Sequence, residues 1–401
     1  MTVTCADCGR TQVVPELPAG ATARCQRCAR VLARRAMPGF DAALACAAAM
    51  FILMPPAVFM PLMDSTIRNL VFEESRLVSS VGVIYQEVWF PFAFGFLFFA
   101  FLFPAIRSLL IVVVLSSLRW KWRLWQRGRI FRWSEELRIW SMTDVVVLAG
   151  LVAYFRASVP ADVEMRVGAW CYFAVALLSL AMDFALDRRA VWNAILPDPT
   201  TLPDRHIASC DACELAATSR RRGDPCPRCG ATLDRSPAKR FAPAFAALAA
   251  ALPLCLPAYG AAVMINDQLT GVLEHTVIGT VQLLADHGFW QVGVVILVAG
   301  VAIPTIEILG LSWLLIRVRR PNRNGLVRRT RFYRILRRLA RWPMVIPFIA
   351  AIAAPIVDFR GIDDIVAGPG STPLFMLITL IMLAVWLFEP KLMWSTAGES
   401  R

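Results

Sequence analysis

CADCGRTQVVPELPAGATARCQRC, Cys5 to Cys28, returns in altered form as CDACELAATSRRRGDPCPRC, Cys210 to Cys229. Each stretch holds two Cys-x-x-Cys pairs, and two such knuckles bring four sulfurs into the tetrahedron of a closed Zn(II) site. A ribbon this short cannot bury enough apolar surface to fold alone, so metal binding supplies its folding energy. The spacing assigns Cys5, Cys8, Cys25 and Cys28 to one structural zinc and Cys210, Cys213, Cys226 and Cys229 to a second. Gly9 and Gly230 follow the second Cys of a pair, where a tight turn wants glycine. An iron site satisfies the same spacing. The rival reading is thiol–disulfide exchange. Four cysteines per unit, without a thioredoxin-like βαβ pattern, favour structural metal. A closed site leaves no position for water, so zinc catalysis is not expected.

The ribbons mark a longer repeat. Pro56-Ala57 returns as Pro257-Ala258, and Phe103-Pro104-Ala105-Ile106 as Ile303-Pro304-Thr305-Ile306. Arg138 to Met142 returns weakly as Arg341-Trp342-Pro343-Met344, and Phe184 to Trp192 as Trp386 to Trp394. A fixed long period means duplicated modules.

Between these markers the chain is strongly apolar. Of 401 residues 58% are hydrophobic, mean hydropathy is +0.58, and only 18% are charged. A soluble domain carries about a quarter charged residues. The apolar residues cluster in blocks near 42–63, 88–117, 142–158 and 167–186, then 243–265, 289–316, 343–359 and 373–389. Several approach the ~20 residues that cross a bilayer. The predicted fold class is therefore an all-α polytopic membrane protein, two tandem four-helix transmembrane modules in parallel repeat, each preceded by a small four-cysteine zinc ribbon. The expected boundaries are 1–36 for ribbon 1, 40–190 for module 1, 205–236 for ribbon 2 and 240–394 for module 2. Cys46, Cys171 and Cys255 lie alone in apolar blocks and read as small core residues. His206, His275 and His287 share no ligand spacing.

The net charge of +13 is concentrated in a few loops. Loop 118–138 and the loop after 316 are rich in arginine, whereas Asp64, Glu73, Glu74, Glu87, Asp267, Glu274, Asp286, Asp363 and Asp364 fall in the other loops. The positive-inside rule predicts that both ribbons, both basic loops and both termini are cytoplasmic. The first 35 residues hold no apolar h-region, which agrees with an N-terminus that is not exported. Arg119 to Trp133 alternates arginine with aromatics and reads as an interfacial segment, with Trp at the headgroups and Arg on phosphates. No nucleic-acid partner is expected.

Ionisable residues inside spans are functional candidates. Arg107 and Glu307 occupy matching positions, three residues beyond Pro104 and Pro304, so opposite charges could pair across the halves, or each could lie near a water-filled gap and snorkel. Asp144 opens the third span, where an acid complements the helix dipole or serves transport. Asp183 and Asp187 end the fourth span beside Arg188 and Arg189 and read as interfacial salt bridges. No Walker A motif, Ser-His-Asp arrangement or His-Glu-x-x-His is present, so no enzyme is expected.

Two four-cysteine ribbons, each ahead of a four-span module, resemble the paraquat-inducible protein A family. Trp140 to Val145, Ile303 to Ile306 and Leu256-Pro257-Ala258 are supporting matches. The resemblance implies a multi-pass protein of the bacterial inner membrane. It implies a role in phospholipid transport between membranes, loading or unloading lipid for a periplasmic MCE-domain tunnel protein. Arg107, Asp144, Pro104, Pro304 and Glu307 are then the transport-path candidates. The alternative is a membrane-anchored scaffold or envelope-stress adaptor without transport of its own. The sequence departs from the family pattern at Val58 and Tyr259, which replace Asn, and at Glu307, which replaces Lys. Trp342-Pro343-Met344-Val345-Ile346 also lacks the Asp of the first module.

Overall fold

A computed structural model describes residues 2–15, 17–18, 20–34, 40–67, 70–78, 90–122, 124–157, 162–197, 207–218, 223–233, 237–268, 271–286, 288, 290–319, 325–349, 352 and 363–396. Ribbon 1 is two hairpins, Thr2–Thr4 with Thr11–Val13 and Thr22–Arg24 with Val31–Arg34. Ribbon 2 is the hairpin Ile207–Ser209 with Ala216–Thr218, plus a bridge between Pro225 and Thr232.

Among the described residues six helices are long and apolar enough to cross a membrane: Phe40–Phe59, Ala93–Arg119, Arg127–Phe155, Val167–Ala185, Phe241–Gly260 and Trp290–Arg319. Ser371–Leu387 is apolar but shorter, at 17 residues. The expected span near 343–359 lies largely outside the described residues. The first and fourth helices of module 1 pack against each other. Ala43, Ala47, Met50 and Met54 form one buried stripe at helical spacing. Gly168 on the facing helix approaches so closely that a Cβ there would lie 2.5 Å from the Met60 carbonyl oxygen.

The second helix of each module contains a π-helical segment at the same place, Leu97–Leu102 and Val298–Ala302, ahead of Pro104 and Pro304. Proline has no N–H to offer the carbonyl four residues back. That carbonyl is Ala100 in one module and Gly300 in the other. The Tyr172 hydroxyl donates to Ala100 O at 2.7 Å, and the Tyr259 hydroxyl donates to Gly300 O at 2.7 Å. The two modules solve one backbone problem from different helices. Tyr259 stands where module 1 has Val58, and Tyr172 where module 2 has Leu374.

The sequence reading leaves the loops at the far end from the ribbons without structure, yet they form sheets. In module 1, Met63–Ile67 pairs antiparallel with both Leu70–Ser75 and Asp162–Met165. In module 2, Met264–Gln268 pairs with Gly271–His275 and Asp363–Ala367 in the equivalent register. Asp64, Glu73, Glu74, Asp267, Glu274, Asp363 and Asp364 are strand residues, whereas Asp286 ends the helix Val277–Asp286 and Glu87 lies outside the described residues. The sheets tie the exit of the first span to the entry of the fourth.

The modules meet along an aromatic seam. Phe96 and Phe348 touch edge to face at 5.4 Å, Trp140 meets Trp386 at 6.0 Å, and the Phe375 ring fills the space over Gly95.

Candidate functional site

All four knuckles share one backbone geometry. The N–H of the first Cys donates to the carbonyl five residues on, and the residue after the second Cys donates back to the first Cys carbonyl, as in Cys5 N–H to Arg10 O and Gly9 N–H to Cys5 O, both 2.9 Å. The returning residue is left-handed each time: Gly9, Ala29, Glu214 and Gly230 at φ 73°, 57°, 58° and 68°. Glycine therefore marks only two of the four turns.

The eight thiols are buried, and the four sulfurs of each ribbon lie within 4.8 Å of one another. The S···S separations are 3.5 Å for Cys5–Cys28, 3.6 Å for Cys8–Cys25, 3.4 Å for Cys210–Cys229 and 3.6 Å for Cys213–Cys226. These are far beyond a disulfide bond of ~2.05 Å. They sit close to the ~3.8 Å edge of a tetrahedron built on Zn–S bonds of ~2.3 Å. Both clusters suit a metal ion.

Each ribbon docks on the other module. Arg334 lies on the basic helix of module 2, Leu326–Leu339. Its Nε donates to Asp7 Oδ2 at 2.8 Å, and its Nη2 to Cys28 O at 2.9 Å and Cys28 Sγ at 3.3 Å, all in ribbon 1. Arg132 occupies the matching place on the helix Arg127–Trp140 of module 1. Its Nη1 donates to Cys229 O at 3.2 Å in ribbon 2. Gly128 on that helix lies against the ribbon, where a Cβ would fall 1.7 Å from Arg228 O. The crossing is reinforced by Arg27 over the Trp394 ring at 4.6 Å and by Arg30, which bridges the ribbons to Asp7 and to Glu214 at 2.9 Å. Ribbon 2 also touches its own module, where Lys391 holds Asp211 at 2.5 Å.

The electrostatics follow from burial. Burial works against the Arg30 charge, but Glu214 and Asp7 outweigh it and hold the guanidinium above its ordinary value. Burial pushes the Glu214 carboxyl up, while Arg30 and Arg189 pull it back. Burial pushes Tyr333 up to about 12. Its hydroxyl donates to Val385 O at 3.0 Å and Phe388 O at 2.7 Å, fixing the module 2 docking helix to the end of the last span. The basic segment Arg119 to Trp133 thus divides. Its aromatic first part is exposed, while its helical second part presents Gly128 and Arg132 to ribbon 2.

Inside the spans, Arg107 and Glu307 do not meet. Arg107 is 1% exposed and pairs within its own module with Asp183. Asp183 also faces Arg188 at 3.3 Å and Arg138 at 3.7 Å, and Arg188 holds Glu135 at 2.9 Å. Asp187 caps the helix Arg188–Ile195 by accepting from Ala190 N–H at 3.0 Å. At the place of Asp183, module 2 has Val385. Glu307, 1% exposed, has no hydrogen-bond partner for its Oε1 among the described residues. Asp144 pairs with Arg341 at 3.0 Å, which joins the third span of module 1 to the basic segment of module 2.

The family model for "Paraquat-inducible protein A" matches residues 40–195 and again 242–397, one match per module. The chain belongs to the paraquat-inducible protein A family. It is 25% identical over 417 residues to the "Intermembrane transport protein PqiA" of Escherichia coli strain K12, covering 99% of this chain and 96% of that protein. A "Probable intermembrane transport protein" of Haemophilus influenzae is 23% identical over 97% of this chain and 95% of its own length. The "Lipophilic envelope-spanning tunnel protein A" of Escherichia coli strain K12 is 24% identical over 99% and 92%. These relatives are named as transport or tunnel proteins, not as enzymes. No solved structure matches the chain. For this member of the family, the sequence pattern shows the two four-cysteine clusters and the repeat but not the crossing of the ribbons. The signal that could have shown it is Arg132 and Arg334, which recur at the same ~200-residue offset as the cysteines.

Proposed function

We propose that the chain is the inner-membrane subunit of an intermembrane phospholipid transport system, loading or unloading lipid for a periplasmic MCE-domain tunnel. The observation that carries this reading is the end-to-end similarity to proteins named for intermembrane transport and for an envelope-spanning tunnel. In this reading the ribbons, at 1–36 and 205–236, are cytoplasmic and hold structural zinc. The modules, at 40–190 and 240–394, span the inner membrane, and the sheets at their far ends face the periplasm, where an MCE protein would dock. The basic loops on the ribbon side and the acidic strands on the other support this orientation.

Lipid would pass along the aromatic seam between the modules. Polar residues in spans are costly and mark pathways. Arg107 with its Asp183 counter-charge, Asp144 with Arg341, and Glu307, whose Oε1 has no hydrogen-bond partner among the described residues, are the positions available to steer a headgroup. The π-segments ahead of Pro104 and Pro304 supply points where the second helices can flex. The chain itself carries out no bond-making chemistry.

The test is reconstitution of the full chain in vesicles that carry a fluorescent phospholipid, with a soluble MCE-domain protein as acceptor. The expected result is faster transfer to the acceptor than from vesicles without the chain. Equal rates from both would contradict the proposal.

A further inference from the structure

The second span of module 1 ends at Arg119. Just beyond it a cavity of about 640 Å³ opens at the end of the span. Phe40 and Leu118 form apolar wall, Arg119, Lys121 and Arg127 supply charge, and Trp125 stands at the rim, 96% exposed. The volume lies within the ~300–1,000 Å³ usual for small-molecule sites.

The cations are not satisfied within the described residues. Arg119 pairs with Asp41 at 3.1 Å, among those residues the one acid bonded to the three cations. The Arg127 Nη2 donates to Ser117 O at 3.0 Å, while its Nε–H is buried with no acceptor among the described residues. Lys121 holds a left-handed backbone, φ 56°, that lysine rarely adopts. Strain of this kind collects at binding sites. Beside the cavity Trp120 and Trp122 stack at 5.9 Å, both more than half exposed. Exposed indole rings belong at a membrane interface, where an apolar body and a polar edge are both accommodated.

Among the described residues of module 2 the arrangement differs. Its Arg319 corresponds to Arg119 and stacks over Phe241 at 5.1 Å and Phe245 at 5.3 Å. Phe241 corresponds to Phe40, so the guanidinium covers the wall that is open in module 1. Asp41 corresponds to Ala242, and no carboxylate draws Arg319 aside.

We propose that the module 1 cavity binds the phosphate headgroup of an anionic glycerophospholipid from the adjoining leaflet. Three cations against one carboxylate favour a headgroup with net negative charge over a zwitterion, whose ammonium would meet the cations. The apolar wall takes the glycerol and first methylenes, and the rim tryptophan covers them. The inference rests on this cavity and is independent of the transport proposal.

The test is native mass spectrometry of the full-length protein. The probes are phosphatidylglycerol, phosphatidylethanolamine, and soluble glycerol phosphate with inorganic phosphate as the lipid-free arm. Lys121→Gln and Arg127→Gln are compared with Arg328→Gln, which removes an exposed charge from the other module. A cation near a membrane surface contributes ~1 kcal/mol, so each cavity variant should weaken phosphatidylglycerol binding about fivefold and the pair about 25-fold. Arg328→Gln should leave it unchanged, and phosphatidylethanolamine should bind more weakly. Metal content equal to wild type shows that the variants are folded. Three outcomes would overturn the proposal: equal loss in Arg328→Gln, equal binding of phosphatidylethanolamine, or full displacement of the lipid by the soluble phosphates.

Discussion

Arg334→Ala should loosen ribbon 1 on module 2 and leave ribbon 2 in place. Arg334 makes bonds to Asp7 at 2.8 Å and to the Cys28 carbonyl at 2.9 Å. Charge-assisted bonds contribute ~1.5–3 kcal/mol each, so their gross loss is ~3–6 kcal/mol. Two facts reduce it. Asp7 keeps its pair with Arg30, and the Arg334 side chain is 24% exposed, so water replaces part of what is lost. A net ~2–3 kcal/mol remains, which is a ~30- to 150-fold rise in the opening equilibrium. The assay is chelator-driven metal loss followed by absorbance, with ribbon 1 and ribbon 2 as separate phases. Loss of the Nη2 contact to Cys28 Sγ also removes a donor that supports the thiolate. One equivalent should leave ~30- to 150-fold faster and the other at the wild-type rate. Arg132→Ala should give the mirror result with a smaller factor, because Arg132 makes one bond to ribbon 2. Two wild-type phases in Arg334→Ala, or two equally accelerated phases, would refute the crossed docking.

Further outcomes follow from the same geometry. Gly128→Ala should loosen ribbon 2, seen as faster loss of its metal, because the new methyl falls on the Arg228 carbonyl; helix propensity alone argues the other way, with alanine favoured by ~1 kcal/mol. Tyr172→Phe and Tyr259→Phe should each lower the thermal midpoint in detergent by leaving a buried carbonyl unsatisfied, at ~1–3 kcal/mol, and an unchanged midpoint would refute the carbonyl-capping role. Asp183→Asn should cost ~3–5 kcal/mol by stranding the buried Arg107. Adding Arg107→Met should recover most of that loss, and additive losses in the double variant would show that the two do not act as a pair.

The parts of this fold that read directly from sequence are those written in local spacing. Cys-x-x-Cys pairs fix four sulfurs within a few residues, and apolar blocks of the right length fix helices. Both came through to the structure, as did Asp183 beside Arg188. Non-local pairings were harder to read. Matching positions suggested Arg107 with Glu307, but buried charge takes the nearest complementary partner in space, and that is Asp183, 76 residues on. Module 2 has Val385 at the place of Asp183, and the Glu307 Oε1 has no hydrogen-bond partner among the described residues. The sheets were missed because their strands are short, lie in acidic loops, and gain their third member from a segment about 100 residues away. Tyr259 shows the reverse case. It departs from the family pattern by sequence, yet its position is explained by a carbonyl that Pro304 leaves without a donor.

The most direct test of the transport proposal is photocrosslinking in cells at the seam between the modules. Benzoylphenylalanine would replace Phe348, which is fully buried against Phe96, and in a control would replace Phe131, equally buried but packed on Trp192 away from the seam. With metal-loaded protein, labelled phospholipid should be captured at 348 and not above background at 131. Capture at neither position, or at both alike, would contradict a lipid path between the modules.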